Sequence, residues 1–270
     1  MFENLGLGPD ILNAIADAGY TDPTPIQAQA IPIVLQGRDV LGCAQTGTGK
    51  TASFTLPMIQ TLSSGRARAR MPRSLVLTPT RELAAQISQN FATYAKYHKL
   101  TMALLIGGVS TEDQQRRLTR GVDVLIATPG RLLDLYDRGS LLLNDVKFLV
   151  IDEADRMLDM GFIPDVEKIV SLLPPSRQTM MFSATMPTEI RRLANKFLTL
   201  PKEISVAPPA TLAETVKEYL VQTTLREKNK TLRHLLHRAD VENALIFCNR
   251  KKDVELLNRS LRRHNFLSAA

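Results

Sequence analysis

Ala44-Gln45-Thr46-Gly47-Thr48-Gly49-Lys50-Thr51 is the stretch on which the fold turns. An apolar run, Arg38–Cys43, leads into it, and a helical pattern leaves it. Its glycines let the backbone turn tightly, so that successive N–H groups and the start of the helix converge on phosphate oxygens. Lys50 adds charge there, and Thr51 adds a hydroxyl suited to a metal. Strand, glycine-rich loop and helix in that order form the context of a phosphate-binding P-loop. Ala44 stands where the stricter pattern has its first glycine. Such a loop needs an acidic partner at the end of a neighbouring buried strand. Phe148-Leu149-Val150-Ile151 supplies that strand, and Asp152-Glu153 follow it. If the backbone is still extended there, the two carboxylates point in different directions. Asp152 is then available for Mg²⁺, and Glu153 for an attacking water as its general base.

Working outward, short apolar runs recur at Ser74–Leu77, Met102–Ile106, Val122–Ala127 and Thr179–Phe182, each read as a buried strand. Between them lie amphipathic segments such as Arg81–Tyr97, where Leu83, Ile87, Phe91 and Tyr94 recur every three or four residues. The alternation predicts an α/β fold: a parallel sheet with helices on both faces and ligands at the strands' C-terminal ends. Met157, Met160, Met180 and Met181 are expected in the core, and His234 and His237 on a helix surface.

The pattern breaks at Ala207-Pro208-Pro209-Ala210-Thr211. We therefore expect one domain over 1–206, a linker over 207–215 and the beginning of a second domain over 216–270. In the last segment strands are expected at Val216–Gln222 and Ala244–Cys248, and helices at Glu227–Arg238 and Lys251–His264. Two strands cannot cover both faces of a sheet, so this unit reads as a fragment.

The composition, 44% hydrophobic and 23% charged over 270 residues, is that of a globular chain and excludes disorder and collagen. The net charge of +7 is unevenly spread: residues 206–270 hold 12 Lys/Arg and 7 Asp/Glu, leaving 22 and 20 for the rest. That balance permits an anionic partner without identifying one. No run is long and apolar enough to span a bilayer, and Met1-Phe2-Glu3-Asn4 does not begin a secretion signal. A cytoplasmic protein without a membrane partner is expected. Cys43 and Cys248, far apart and without metal-ligand spacing, are expected buried and reduced.

Taken together, the residues resemble those of the DEAD-box ATP-dependent RNA helicases, with wording closest to the bacterial RhlE-like branch. Asp152-Glu153-Ala154-Asp155 matches the family's acidic motif. Gly19-Tyr20-Thr21-Asp22-Pro23-Thr24-Pro25-Ile26-Gln27, with Phe2 upstream, matches its adenine-recognising Q motif (2–27). Pro79-Thr80-Arg81-Glu82-Leu83-Ala84, Gly107-Gly108, Thr128-Pro129-Gly130-Arg131, Ser183-Ala184-Thr185 and Leu245-Ile246-Phe247-Cys248-Asn249 match further motifs in order. The resemblance implies a P-loop NTPase of RecA-like fold followed by an incomplete second RecA-like domain. It implies ATP and Mg²⁺ as cofactors, with Lys50, Asp152 and Glu153 catalytic and Thr51 and Asp152 at the metal. Nucleotide contacts would come from Tyr20, Gln27, Thr46, Gly47, Thr48, Gly49, Lys50 and Thr51. RNA-backbone contacts would come from Pro79, Thr80, Arg81, Gly107, Gly108, Thr128, Gly130 and Arg131. Asp155, Ser183 and Thr185 would couple the two sites. The later family motifs do not occur in these 270 residues, so the chain alone is expected to bind ATP and RNA weakly and not to unwind duplexes. A non-catalytic module that binds RNA or a partner is the alternative. Partners in ribosome assembly or RNA degradation are not readable from the sequence.

Overall fold

Four-residue runs with every side chain buried, such as Ser74–Leu77, Val124–Ala127 and Phe148–Ile151, need cover on two faces, which a parallel sheet between helical layers provides. A computed structural model of the chain describes residues 1–45, 47–206, 217, 219–238 and 241–270, and has that architecture. The strands are β1 (Val40–Cys43), β2 (Ser74–Leu77), β3 (Met102–Leu105), β4 (Val124–Ala127), β5 (Phe148–Ile151), β6 (Gln178–Ser183) and β7 (Lys202–Ser205). They form one sheet in the order β3-β4-β2-β5-β6-β1-β7, with every pairing parallel. The helices that cover it are α1 (Pro9–Asp17), α2 (Pro25–Leu35), α3 (Lys50–Leu62), α4 (Arg81–Tyr94), α5 (Thr111–Arg120), α6 (Pro129–Asp137), α7 (Ala154–Asp159), α8 (Ile163–Leu172) and α9 (Thr188–Phe197).

Alternation along each strand sorts the core into two layers. Val76, Phe148, Val150, Met180 and Phe182 face one layer, where Phe54, Ile59 and Phe91 pack from α3 and α4. Leu75, Leu77, Leu149, Ile151 and Met181 face the other, against Leu132, Ile169 and Leu193 from α6, α8 and α9. Gly42 in β1 has no room for a side chain, because a Cβ there would sit 2.5 Å from Phe182 Cδ1. The Phe182 ring, 5.4 Å from that of Phe54, thereby ties β6 to α3 directly beneath the loop that joins β1 to α3.

Several expectations need correcting. β7 was not foreseen: in Lys202-Glu203-Ile204-Ser205 only Ile204 is buried, the pattern of an edge strand with one covered face. Met160 is 46% exposed, because α7 has ended and its cap turns the side chain outward, whereas Met157, Met180 and Met181 are buried. Cys43 and Cys248 are free thiols but half-buried, not buried.

The chain divides into two compact units, Met1–Ala210 and Thr211–Ala270. The expected linker, 207–215, lies outside the described residues, as do Val216 and Glu218 of the expected strand. The second unit has helices α10 (Lys228–Leu236) and α11 (Lys251–Arg263), and among its described residues no strand. Residues 244–248 form no strand, and Leu245 and Phe247 are 83% and 87% exposed. An apolar run of five residues makes a strand only where a neighbouring strand offers it a ladder, and among the described residues of this unit none does.

Candidate active site

The loop after β1 is held at both ends: Ala44 N–H donates to Ser183 O at 3.0 Å on β6, and α3 begins at Lys50. Gly47 (φ 85°) and Gly49 (φ 90°) take left-handed conformations that suit glycine. Thr48 Oγ1 donates to Gln45 O at 2.6 Å and closes the turn. Thr46 lies outside the described residues. Lys50 is only 6% exposed, yet its Nζ has no hydrogen-bond partner. A buried ammonium without an acceptor is costly, and the cost is recovered when an anion enters.

Thr24 starts α2, and its N–H donates to Gln27 Oε1 at 3.0 Å, while Gln27 Nε2 donates to Gly49 O at 3.1 Å. The Gln27 amide is thus fixed by the P-loop with one lone pair and one N–H still to offer, the complement of an adenine edge. A Cβ on Gly49 would collide with Gln27 Nε2 and Thr24 Oγ1. Thr24 Oγ1 is buried without a partner. Tyr20, half exposed, stands 6.3 Å from the ring of Tyr94, whose hydroxyl is pushed well above the usual phenol range by burial and by Tyr20. Phe2 is buried and belongs to the core beneath.

Asp152 follows β5, its N–H donating to Leu77 O at 2.9 Å, and its Oδ1 accepts the Glu153 N–H at 3.0 Å. Burial lifts its carboxyl from 3.8 to about 6; the charge of Lys50 opposes the rise, and Glu153 and Asp155 add to it. Glu153 does not continue the strand. It sits at φ 53°, ψ 52°, the left-handed region, which corrects the extended backbone expected from the sequence. For a residue with a Cβ this costs about 1–2 kcal/mol. The turn leaves both carboxylates on one cleft, and Arg156 Nη1 reaches Glu153 Oε2 at 3.4 Å. Asp152, Glu153, Gly47, Gly49, Lys50, Thr51, Gln27 and Tyr20 all line one cleft of ≈ 400 Å³. Its far wall is α4, through Gln86, Asn90 and Tyr94, which the sequence reading did not assign. Their spacing of four residues, placing polar groups on one helical face, was the available signal.

Next to the cleft, Asp155 Oδ2 accepts from Thr185 N–H at 2.9 Å and Oγ1 at 2.8 Å, and Asp155 N–H donates to Ser183 Oγ at 3.2 Å. Burial raises the Asp155 carboxyl, but the bonds from Thr185 and Ser183 outweigh it and hold the pKa below its ordinary value. β6 therefore joins the acidic turn to the P-loop strand.

The remaining motif residues collect at the C-terminal ends of β2, β3 and β4, neighbours in the sheet. Thr80 caps α4 by accepting from Leu83 N–H at 3.3 Å, and Pro79 is buried and aims the loop. The Arg81 guanidinium lies against Gly107 and Gly108, where a Cβ on Gly108 would be 2.5 Å from Nη1. Thr128 and Gly130 open α6 with Gly130 exposed. Arg131 is directed inward: its Nε donates to Gln114 Oε1 at 3.2 Å and its Nη1 pairs with Asp134 at 2.8 Å. Gln114, buried and also missed by the sequence reading, donates through Nε2 to Ile106 O at 3.2 Å and Val109 O at 3.5 Å. It locks the Gly107-Gly108 loop to Arg131.

Among the described residues no group of three or more His, Cys, Asp or Glu side chains forms a ready-made metal cage, and no helix is long and apolar enough to cross a membrane. One carboxylate, Asp152, beside one hydroxyl, Thr51, is the sparse donor set that suits a hydrated Mg²⁺ completed by phosphate oxygens.

Residues 24–193 match the DEAD/DEAH box helicase family. The chain is 40% identical over 265 residues to the DEAD-box ATP-dependent RNA helicase CshA of Streptococcus pneumoniae, covering 98% of this chain and 50% of that protein. It is 42% identical over 270 residues to the ATP-dependent RNA helicase DeaD of Escherichia coli, covering 100% of this chain and 42% of that protein. The crystal structure of a DEAD box protein from the hyperthermophile Methanococcus jannaschii superposes with a TM-score of 0.70 at 35% identity, covering all of this chain and 72% of the other. The chain spans about half the length of the curated relatives it matches.

Proposed function

The chain belongs to the DEAD/DEAH box helicase family, and from that premise we propose that it carries the ATP-binding domain of a cytoplasmic, ATP-dependent RNA helicase. In this reading residues 1–206 bind and hydrolyse ATP, and 216–270 begin the second RecA-like domain. The observation that carries it is the buried, unpartnered Lys50 Nζ in the same cleft as Asp152 and Glu153.

Lys50 and the N–H groups of the loop receive the β- and γ-phosphates at the start of α3. The open lone pair and N–H of Gln27 pair with adenine, and Tyr20 flanks the base. Thr51 and Asp152 would hold Mg²⁺, which would supply charge neutralisation at the phosphates. Burial makes Asp152 harder to ionise than an ordinary carboxyl, and a bound cation would favour its ionised form. Glu153, on the same cleft, accepts the proton of the attacking water. Asp155 passes the state of this turn to Ser183 and Thr185. RNA lies along Pro79-Thr80-Arg81, Gly107-Gly108 and Thr128-Pro129-Gly130-Arg131, held by phosphate and sugar contacts that do not read sequence. Arg131 takes part chiefly by bracing these loops through Gln114.

The test is RNA-stimulated ATP hydrolysis by this chain extended to the length of its relatives. Glu153→Gln is expected to keep ATP affinity while lowering turnover by about 10²–10⁴; unchanged turnover excludes Glu153 as the base.

A further inference from the structure

The opposite end of the sheet carries an unassigned groove. Where β1, β5 and β6 begin, Arg38, Lys147 and Arg177 line a depression of ≈ 780 Å³, with Pro175 and Leu200 at its rim. Lys202, exposed, opens the adjoining β7. Adjacent strands place these cations about 5 Å apart per strand step, along β5-β6-β1-β7. Lys147 O accepts the Gln178 N–H at 2.8 Å, and Gln178 Nε2 donates to Arg38 O at 2.7 Å, so the frame that carries the charges is tied together.

None of the four cations has a carboxylate within salt-bridge distance among the described residues. The carboxylate in the groove, Asp39, is committed to the backbone: Oδ1 accepts Thr179 N–H at 2.8 Å and Oδ2 accepts Thr199 N–H at 2.7 Å. Arg177 donates through Nη1 to Pro174 O at 2.8 Å, but its Nε is buried with no partner. Burial lowers its pKa despite the pull of Asp39. The rim holds a second anomaly. Leu200 is 86% exposed and sits at φ 44°, a strained backbone for a side chain with no internal contact to reward it.

We propose that this groove is a docking surface for an acidic peptide segment of a partner protein, with carboxylates on Arg38, Lys147 and Arg177 and an aliphatic side chain against Leu200 and Pro175. Charge complementarity supplies the attraction. A peptide suits the groove better than an RNA strand, because the apolar rim of Pro175 and Leu200 offers contacts that an aliphatic side chain can use and a sugar-phosphate backbone cannot. The groove lies at the N-terminal ends of the strands and the nucleotide cleft at their C-terminal ends, so both are open to ligands at once.

Fluorescence anisotropy of a labelled Glu-Glu-Leu-Glu-Glu-Leu-Glu-Glu peptide, titrated with the whole chain, tests this. We expect saturable binding that weakens with salt, is not displaced by ATP, and is absent for the same peptide with Gln in place of Glu. Arg38→Glu with Lys147→Glu, both at exposed positions, is expected to weaken it by at least about tenfold with an unchanged melting temperature. Leu200→Ser is expected to weaken it independently of salt. Equal binding by the double variant, equal binding of the Gln peptide, or loss of oligo-uridine binding in place of peptide binding would each overturn the proposal.

Discussion

Replacing Asp152 by asparagine is expected to stabilise the nucleotide-free chain. Burial, joined by the nearby Glu153 and Asp155, lifts the Asp152 carboxyl from 3.8 to about 6 against the attraction of Lys50. In the unfolded chain the same group ionises at its ordinary pKa. As pH rises between these values the folded state keeps a proton that the unfolded state has released, and stability falls through that window. Above it the whole difference counts against the fold: at ~1.36 kcal/mol per pH unit it amounts to about 3 kcal/mol. At pH 5 roughly half of that applies. Asparagine carries no charge and keeps an oxygen for the Glu153 N–H, which Asp152 Oδ1 now accepts at 3.0 Å. The lost attraction for Lys50 takes back part of the gain. The assay is thermal unfolding of both proteins in chelator-containing buffer at pH 5 and pH 8. At about 2–4 °C per kcal/mol for a unit of this size, Asp152→Asn should melt up to about 6–12 °C higher at pH 8, with a smaller gain at pH 5. A variant no more stable at pH 8, or a gain that does not shrink toward pH 5, refutes the reasoning. A stabilising substitution at a site of chemistry marks a position held against the stability of the fold.

Gly49→Ala combines a left-handed φ of 90° with a collision against Gln27; we expect a loss of about 1–2 kcal/mol in chemical denaturation and weaker ATP binding by calorimetry. Gln114→Leu should free Arg131 and the Gly107-Gly108 loop together, lowering RNA affinity several-fold in a filter-binding assay while ATP affinity stays unchanged. Gln114→Glu keeps the acceptor for Arg131 and should restore part of the RNA affinity. Equal RNA affinity in the Leu variant would remove Gln114 from the account of that face.

What the sequence disclosed follows from where burial leaves a pattern. β1 to β6 are near-continuous apolar runs because helices cover both sheet faces, so their existence and the P-loop between β1 and α3 were legible. β7 was not, since an edge strand with Ile204 alone buried writes almost no hydrophobic signal. The run at 244–248 misled for the opposite reason: it is apolar, but pairing depends on neighbours that sequence periodicity does not count. The residue types at the site were legible as a set, because glycines, Lys50 and the Asp152-Glu153 pair each have few other uses in that order. The left-handed turn at Glu153 was not, since no glycine announces it. Gln114, Gln86 and Asn90 escaped because polar residues on a helix read as solvated until a neighbouring loop or cleft is placed against them.

The central claim, that Lys50 and Asp152 meet around one Mg²⁺-bound triphosphate, is tested most directly by calorimetric titration of the chain and its Lys50→Ala variant with ATP, with and without Mg²⁺. The account expects Mg²⁺-dependent binding, competition by ADP but not by GTP, and no measurable binding in a variant that remains folded. Equal ATP affinity in the folded variant, or binding indifferent to Mg²⁺, would contradict it.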